Sequence, residues 1–363
     1  MRVKALILTG LMAVSVLVAS CGRLLSDASL RNLDEQVRNA YDMHGGSADE
    51  LKSMYDAMSQ AWTDSLKWEV AYSLFDHWFY RNSDSAFFYL DRMIELQWDQ
   101  ELVFRSKVCR AKAASVAEAS KLESLLPEII DIPVSTSFLS RYCSMMIDIY
   151  SRNTSLSTYS SHYPEFLESA LALSYAKDTT LWYRGLSALS YNETADALQY
   201  LTQAYEQSDN LIIRGTCAEY IADLYSSFGS QELEKKWLIA GASDQIRGGE
   251  GELRALYRLS LILSDNSDFS RAAEYVNLVI DRASSAGFPD LVLDSATGSL
   301  AITTTLDKIE TTRRNVLAAV LGGGNSSIGL CVSPVLEGSQ EEQPDLQHQG
   351  GSDDEQSSAG GCE

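Results

Sequence analysis

The feature that most limits the fold is a recurrence of small and apolar residues at fixed offsets. In LWYRGLSALSYNETADALQYLTQAYEQ they fall at Leu181, Gly185 and Ala188, then Asn192, then Ala197, Leu201 and Ala204. The same offsets return at Ala218, Ala222, Tyr225, Gly229, Glu234, Leu238 and Gly241, and again at Leu256, Ser260, Leu263, Ser267, Ala272, Val276 and Val279. Corresponding positions are 37 and 38 residues apart (197 to 234, 234 to 272), and three periods of 37 counted back from Ala197 reach Ala86, followed by Leu90 and Met93. A small residue early in each helix lets its partner approach closely, and an apolar stripe at i, i+3, i+4 and i+7 needs a neighbouring unit to cover it. The spacing therefore predicts an all-α solenoid of about six helical hairpins between Trp62 and Gly287, two of them degenerate, over Val103–Ile130 and Phe138–Leu173. A compact helical bundle is the alternative that amphipathic helices of this length also permit.

Local chemistry supports hairpins. In WEVAYSLFDHWFYRNSDSAFFYLDRMIEL two amphipathic segments meet at Arg81–Asp84, where Asn, Ser and Asp supply a cap and a turn. Residues Leu24 to Met58 read as a helical segment broken at Gly45-Gly46. Only six prolines occur in 363 residues, so helix breakers are scarce.

The first residues carry Arg2 and Lys4, then an apolar run from Ala5 to Ala19, and close on VASC at Cys21. That is the anatomy of a signal peptide. Val18, Ala19 and Ser20 before Cys21 resemble a bacterial lipobox, which implies lipidation of Cys21 and a membrane anchor; the plainer alternative is an incidental cysteine at an ordinary cleavage site. Cys109, Cys143 and Cys217 sit inside apolar helical patterns and read as buried thiols. No CxxC pair or Cys/His cluster accompanies them.

A formal net charge of −21 argues against a nucleic-acid-binding body, which needs clustered Lys and Arg on one face. The four histidines, His44, His77, His162 and His348, have no second ligand or base at helical spacing, and no HExxH, GxSxG or phosphate-cradling loop is present. RGGEGELRALY, Arg247 to Tyr257, is glycine-rich but follows a helix, which reads as a turn between helices. Trp62, Trp68 and the HWFY run at His77–Tyr80 read as hairpin core, with a ligand-stacking patch as the alternative. Neither an enzyme nor a cofactor site is expected.

The hairpin pattern resembles the tetratricopeptide repeat, a right-handed solenoid. Its usual 34-residue period is stretched here, Glu234 stands where alanine is usual, and the proline after the second helix is mostly missing. The residues assigned to packing between and within repeats are Ala86, Leu90, Gly185, Ala188, Ala197, Leu201, Ala204, Ala222, Tyr225, Gly229, Leu238, Leu263, Ala272 and Val276. The order of pieces, with FGSQELEKKWLIAGASDQIRGGEGELRALYRLSLILSDNSDFSRAAEYVNLVIDRA and RRNVLAAVL, resembles over about residues 30 to 320 a family of tetratricopeptide membrane regulators of gut anaerobes. That resemblance implies a periplasmic repeat sensor, one transmembrane helix and a cytoplasmic output segment.

Arg313 and Arg314 stand where such a span starts, yet the apolar run covers only 315–324. Ten residues cannot cross a hydrocarbon layer of ~30 Å, which takes about 20 in helix. From Asn315 to Glu363 there is no Lys or Arg, and Gly, Ser, Gln, Glu and Asp dominate, so the tail is expected to be disordered. A reading frame shifted after Leu321 would account for this, and a native short-form lipoprotein is the alternative. The expected organisation is a lipoprotein signal peptide over 1–21, an N-terminal helical segment over 22–60, a repeat domain over 61–310, an aborted span over 311–324 and an acidic tail over 325–363. The expected function is non-enzymatic binding of a protein or peptide in the concave groove, as the sensor half of a membrane-associated regulator on the periplasmic side of the envelope. A lipid-anchored scaffold or a glycan-binding lipoprotein is the alternative, and no direct nucleic-acid contact is expected from this chain.

Overall fold

The computed structural model describes residues 28–40, 63–96, 99–117, 119–130, 132–152 and 162–322, with the isolated positions 53, 55 and 56. Cys21 with the expected signal peptide, and the tail after 322, lie outside the described residues. Helix α1 spans 28–40. Six hairpins follow: α2 Asp64–Phe79 with α3 Ser83–Glu95, α4 Gln100–Ala117 with α5 Ala119–Leu125, α6 Thr136–Arg152 with α7 His162–Leu173, α8 Lys177–Ser190 with α9 Thr194–Gln207, α10 Leu211–Ser227 with α11 Gln231–Gly248, and α12 Arg254–Asp265 with α13 Phe269–Ala286. Helix α14, Pro289–Gly322, ends the described chain. The fold is thus an all-α right-handed solenoid, and both hairpins expected to be degenerate are present, the second helix of one shortened to seven residues and continued by a 3-10 turn at Leu126–Glu128.

Successive helices pack on one another, and the first helices α4, α6, α8, α10 and α12 form an inner wall. The repeat offsets explain how. A side chain at Gly185 would put its Cβ 2.6 Å from Leu201 Cδ2, so the glycine is what admits Leu201 between α8 and α9. At Gly241 a Cβ would stand 3.1 Å from that of Ala218 and 3.3 Å from that of Ala255, which draws α10, α11 and α12 together. Ala188, Ala197, Leu201 and Ala204 share one buried cluster with Cys217 and Ile221. Ala222, Leu238, Leu263, Ala272 and Val276 lie in a second, and Ala86 and Leu90 in a third with Trp68 and Met93.

Gly229 is not in that packing. A Cβ there would meet nothing within 4 Å, and its φ of +69° places it in a turn. Asn192 and Ser267, one period before and one after, also have positive φ, 59° and 66°. In each turn the next amide reaches back to the end of the first helix: Glu193 to Ala188 O at 2.8 Å, Ser230 to Tyr225 O at 2.9 Å and Asp268 to Leu263 O at 2.8 Å. This is the Schellman closure, which needs a left-handed residue, and it also gives the half-buried Tyr225 its repeat-wide role through its carbonyl. At the first hairpin, where no left-handed residue stands, Asn82 instead caps α3 by accepting from Ser85 N at 2.9 Å.

The two ends of the solenoid meet. Helix α1 does not lead into the first hairpin: Leu30, Leu33, Val37 and Ala40 pack with Leu238, Tyr275 and Leu278 of the last two. Asp34 accepts from Tyr275 Oη at 2.7 Å and from Arg271 Nε at 2.9 Å. Between the first hairpin and the last, a Cβ on Gly287 would stand 2.7 Å from that of Ser83. The chain divides after Thr311 into two compact units. Among the described residues no helix is long and apolar enough to cross a membrane.

The turn geometry sets a stability expectation. A left-handed conformation costs an L-residue other than Asn about 1 kcal/mol, part of which glycine's larger unfolded-state entropy takes back. Ser267→Gly should therefore raise the unfolding free energy by about 0.5 kcal/mol and Gly229→Ala lower it by about 1 kcal/mol, measured by urea denaturation. A stabilised Gly229→Ala protein would contradict the turn assignment.

Candidate functional site

The site is built by a loop that the repeat pattern leaves out. After α11 the chain runs Gly248-Gly249-Glu250-Gly251-Glu252 before α12 begins. Gly249, at φ +70°, ends the helix. Gly251 then enters a space with no room for a side chain: its Cβ would lie 2.1 Å from Ala286 Cβ and 2.8 Å from Tyr80 O. The Gly251 amide donates to the Tyr80 carbonyl, and Arg81 Nη2 donates to Gly248 O at 2.8 Å. The loop is a wedge between the end of α2 and the end of α13, and its tight glycine turn carries Glu250 and Glu252 inward, where both are buried.

Inside lies a cavity of about 590 Å³ whose walls come from the first helix of each hairpin, from Gln245 of α11 and from the wedge. Its ionisable lining is unequal: six carboxylates (Asp76, Asp148, Glu219, Asp223, Glu250, Glu252) against four cations (Lys112, Arg152, Arg254, Arg258). Arg152 is the junction, holding Asp148 Oδ1 at 3.0 Å on its own helix and Glu252 of the wedge 100 residues away. Lys112 of α4 stands 3.2 Å from Asp76 and 3.7 Å from Asp148, and the Tyr80 hydroxyl donates to Asp148 at 2.5 Å. Arg254 pairs with Glu252, while Arg258 joins Asp223 at 2.5 Å and Glu234 at 3.1 Å. Glu234, which stands where the repeat pattern has alanine, is thus used as an ion-pair partner.

Burial works against charge at every one of these groups, and neighbours decide the outcome. At Asp148 burial is outweighed by Arg152 and Lys112, which hold the carboxyl below its usual range; Arg152 and Arg254 do the same for Glu252. Lys112 moves up, because Tyr80, Asp76 and Asp148 outweigh its burial. At Glu219 the hydrogen bond from Gln245 and the charge of Arg254 do not outweigh burial. Burial, with the Glu252 charge adding, pushes its carboxyl up to about 7. Glu250 is driven well above the carboxylate range by burial and then by Glu219 and Glu252.

Gln245 donates to Glu219 Oε1 at 2.7 Å. Its own Oε1 and Oε1 of Glu250 are buried without a hydrogen-bond partner, and so is the indole N–H of Trp182 on the α8 wall. The three described cysteines are elsewhere: Cys109, Cys143 and Cys217 are free and buried, their thiols pushed up by burial to about 12, about 11 and about 12. Such thiols are poor nucleophiles. Among the described residues no group of His, Cys, Asp and Glu is placed to hold a metal ion.

Sequence reasoning reached the frame of this site but not its lining. Ala188, Ala197 and the other packing residues, the glycines Gly185 and Gly229 apart, stand in or against the hydrophobic clusters rather than on the cavity wall. Of the aromatic run, Trp68 and Phe79 are core and Tyr80 faces the cavity. RGGEGELRALY is indeed a turn between helices; the signal that could have raised its standing was two glutamates alternating with glycines.

A solenoid of helical hairpins with its lining drawn from the first helix of each is a tetratricopeptide-type repeat protein, a class of protein-interaction scaffold whose members are typically non-catalytic. The chain belongs to the family described as the SusR N-terminal TPR domain, whose model matches residues 44–287. No curated protein matches it.

The opposed shifts set a pH dependence. Glu219 and Glu250 bind protons more tightly folded than unfolded, so their contribution is complete below the unfolded carboxyl range and is lost as pH rises through about 7 for Glu219. Asp148 and Glu252 are depressed, and theirs is lost only as pH falls through the carboxylate range. The unfolding free energy should decline from pH 5 to pH 8 in urea titrations. The double variant Glu219→Gln, Glu250→Gln should flatten that decline, and a wild-type protein more stable at pH 8 than at pH 5 would refute the assignment.

Proposed function

We propose that the chain is the non-enzymatic receptor half of an envelope-associated regulator, taking a peptide-sized ligand in the interior of its solenoid. The observation that carries this reading is the cavity bordered by the wedge loop, whose lining residues Trp182, Gln245 and Glu250 each hold a buried polar atom without a partner. Its volume of about 590 Å³ lies in the range of small-ligand sites, which run from about 300 to 1,000 Å³. The wedge also supplies a mechanism. It touches Tyr80 and Arg81 at one end of the repeat array and Ala286 at the other, next to Pro289 where α14 begins. A ligand that repositions Glu250 or Glu252 therefore acts on both ends, and α14 carries the change onward. Anchoring through Cys21 on the periplasmic side fits the sequence order, with a transmembrane helix serving that purpose in relatives that have one. One observation favours a glycan instead: Trp182 offers the cavity an aromatic face and a free N–H donor.

Differential scanning fluorimetry with a tripeptide and tetrapeptide library, beside maltooligosaccharide and xylooligosaccharide sets, tests the reading. At a hundredfold excess over Kd a ligand adds about 2.7 kcal/mol, several degrees in Tm for a chain of this size. Gly251→Ala, which forces the wedge out, should abolish the shift while leaving the far-ultraviolet helical signal intact. If neither library moves Tm in the parent chain, the receptor reading gives way to the scaffold. For the anchor, Cys21→Ser should remove labelling by a fatty-acid probe, and retained label would place lipidation elsewhere.

A further inference from the structure

The cavity's hydrogen-bonding inventory points to the charge of what it holds. Each lining cation is already engaged: Lys112 by Asp76 and Asp148, Arg152 by Asp148 and Glu252, Arg254 by Glu252, and Arg258 by Asp223 and Glu234. Arg81, behind the wedge, directs its guanidinium at the carbonyls of His77 and Gly248. Two carboxylates are left over, Glu219 and Glu250, and beside them stands the acceptor oxygen of Gln245. Glu219 receives one hydrogen bond, from Gln245, and Glu250 Oε1 receives none although the residue is only 6% exposed. The wall in front of them is kept low by Gly215, where a Cβ would sit 3.0 Å from Gln245 Cγ and 3.5 Å from Glu250 Oε1. An unpaired buried acceptor costs about 1–3 kcal/mol and a charged one more, so the site gains most from a partner that brings both N–H donors and positive charge. Trp182, Tyr183 and Tyr220 on the α8 and α10 walls line the same space, and aromatic rings beside it also favour a cation.

We propose that the cavity binds an organic ammonium group, of the kind a lysine side chain, a peptide N-terminus or a free polyamine presents, with Glu250, Glu219 and Gln245 as its acceptors. This rests on the receptor reading above and narrows it by charge. The unpartnered indole N–H of Trp182 asks for an acceptor elsewhere on the ligand, which a peptide carbonyl supplies and a simple diamine does not. Binding should also be coupled to proton release. The Glu219 carboxyl, pushed up to about 7 by burial, ionises further when a cation arrives beside it.

Isothermal titration calorimetry on the full chain at pH 7 with three probes tests this: the tripeptide Ala-Lys-Ala, cadaverine, and N-acetyl-Ala-norleucine-Ala amide as the neutral analogue. The expected result is binding of the first, at least tenfold weaker binding of the neutral analogue, and net proton release measured from two buffers of different ionisation enthalpy. Glu250→Gln should weaken Ala-Lys-Ala at least tenfold. Glu219→Gln, a second isosteric change, should weaken it and reduce the proton release, with circular dichroism confirming that both variants fold. Cadaverine binding as tightly as the peptide supports the proposal with a polyamine as the source, and peptide binding alone supports it with a peptide as the source. A neutral analogue that binds as tightly as Ala-Lys-Ala overturns the charge assignment and leaves the receptor reading standing. Failure of all three probes overturns the ammonium proposal, and the libraries of the preceding section then decide the receptor reading separately.

Discussion

The structure depends on one ion-pair junction. Arg152, at the last turn of α6, holds Asp148 on its own helix and Glu252 on the wedge loop, and the wedge in turn touches the first and the last hairpins. Repeat arrays are ordinarily stabilised only between neighbours, so their ends are free of each other. Here a guanidinium in the middle of the array, two glycines and two backbone carbonyls tie residues 80, 152, 251 and 286 into one closure. Removing one partner of such a buried pair costs about 3–5 kcal/mol because the other charges stay behind. The closure is therefore strong only as a complete set.

Charge burial on this scale needs a reason beyond stability, since hydrophobic side chains of similar volume fill a core as well or better. The outer clusters of this protein do so: Leu201, Ile221 and Leu238, or Phe75, Met93 and Met146, are fully buried without a polar atom in the side chain. The interior differs because the inner face of each first helix carries a charged or hydroxyl side chain among its apolar ones. Six carboxylates face four cations there, and burial together with neighbouring carboxylates pushes the carboxyls of Glu219 and Glu250 up.

The outer architecture was legible because it repeats. Three copies of one offset pattern located Ala188, Ala222 and Leu263 at the helix interfaces, and the period carried Ala86 into place from more than a hundred residues away. The same alignment put Asn192, Gly229 and Ser267 together, but read Gly229 as packing, because a small residue in a repeat column can mean either close approach or a left-handed turn. Only backbone geometry separates these two uses. The lining was not legible for a different reason: it arises where the repeat is broken. Lys112, Arg152 and Glu252 occupy no shared column, and they meet only because the solenoid winds until its ends touch, which no local pattern encodes. Helix α1 is a further instance, its Asp34 meeting Arg271 and Tyr275 across more than two hundred residues.

This arrangement changes what a solenoid can do with a ligand. In an open array a ligand in the groove stiffens the repeats it touches, and the effect decays along the stack. In a closed one, the groups proposed to receive the ligand are also the groups that hold the ends: Glu250 and Glu252 are separated by a single glycine, and that glycine is the one wedged between Tyr80 and Ala286. In that proposal a cation drawn to Glu250 would pull on a backbone with little slack, because Gly251 is pressed against Tyr80 O and Ala286 Cβ. Local binding energy would thereby reach the start of α14, three residues beyond Ala286. The coupling needs no long path through the core, only a loop too tight to absorb the movement itself.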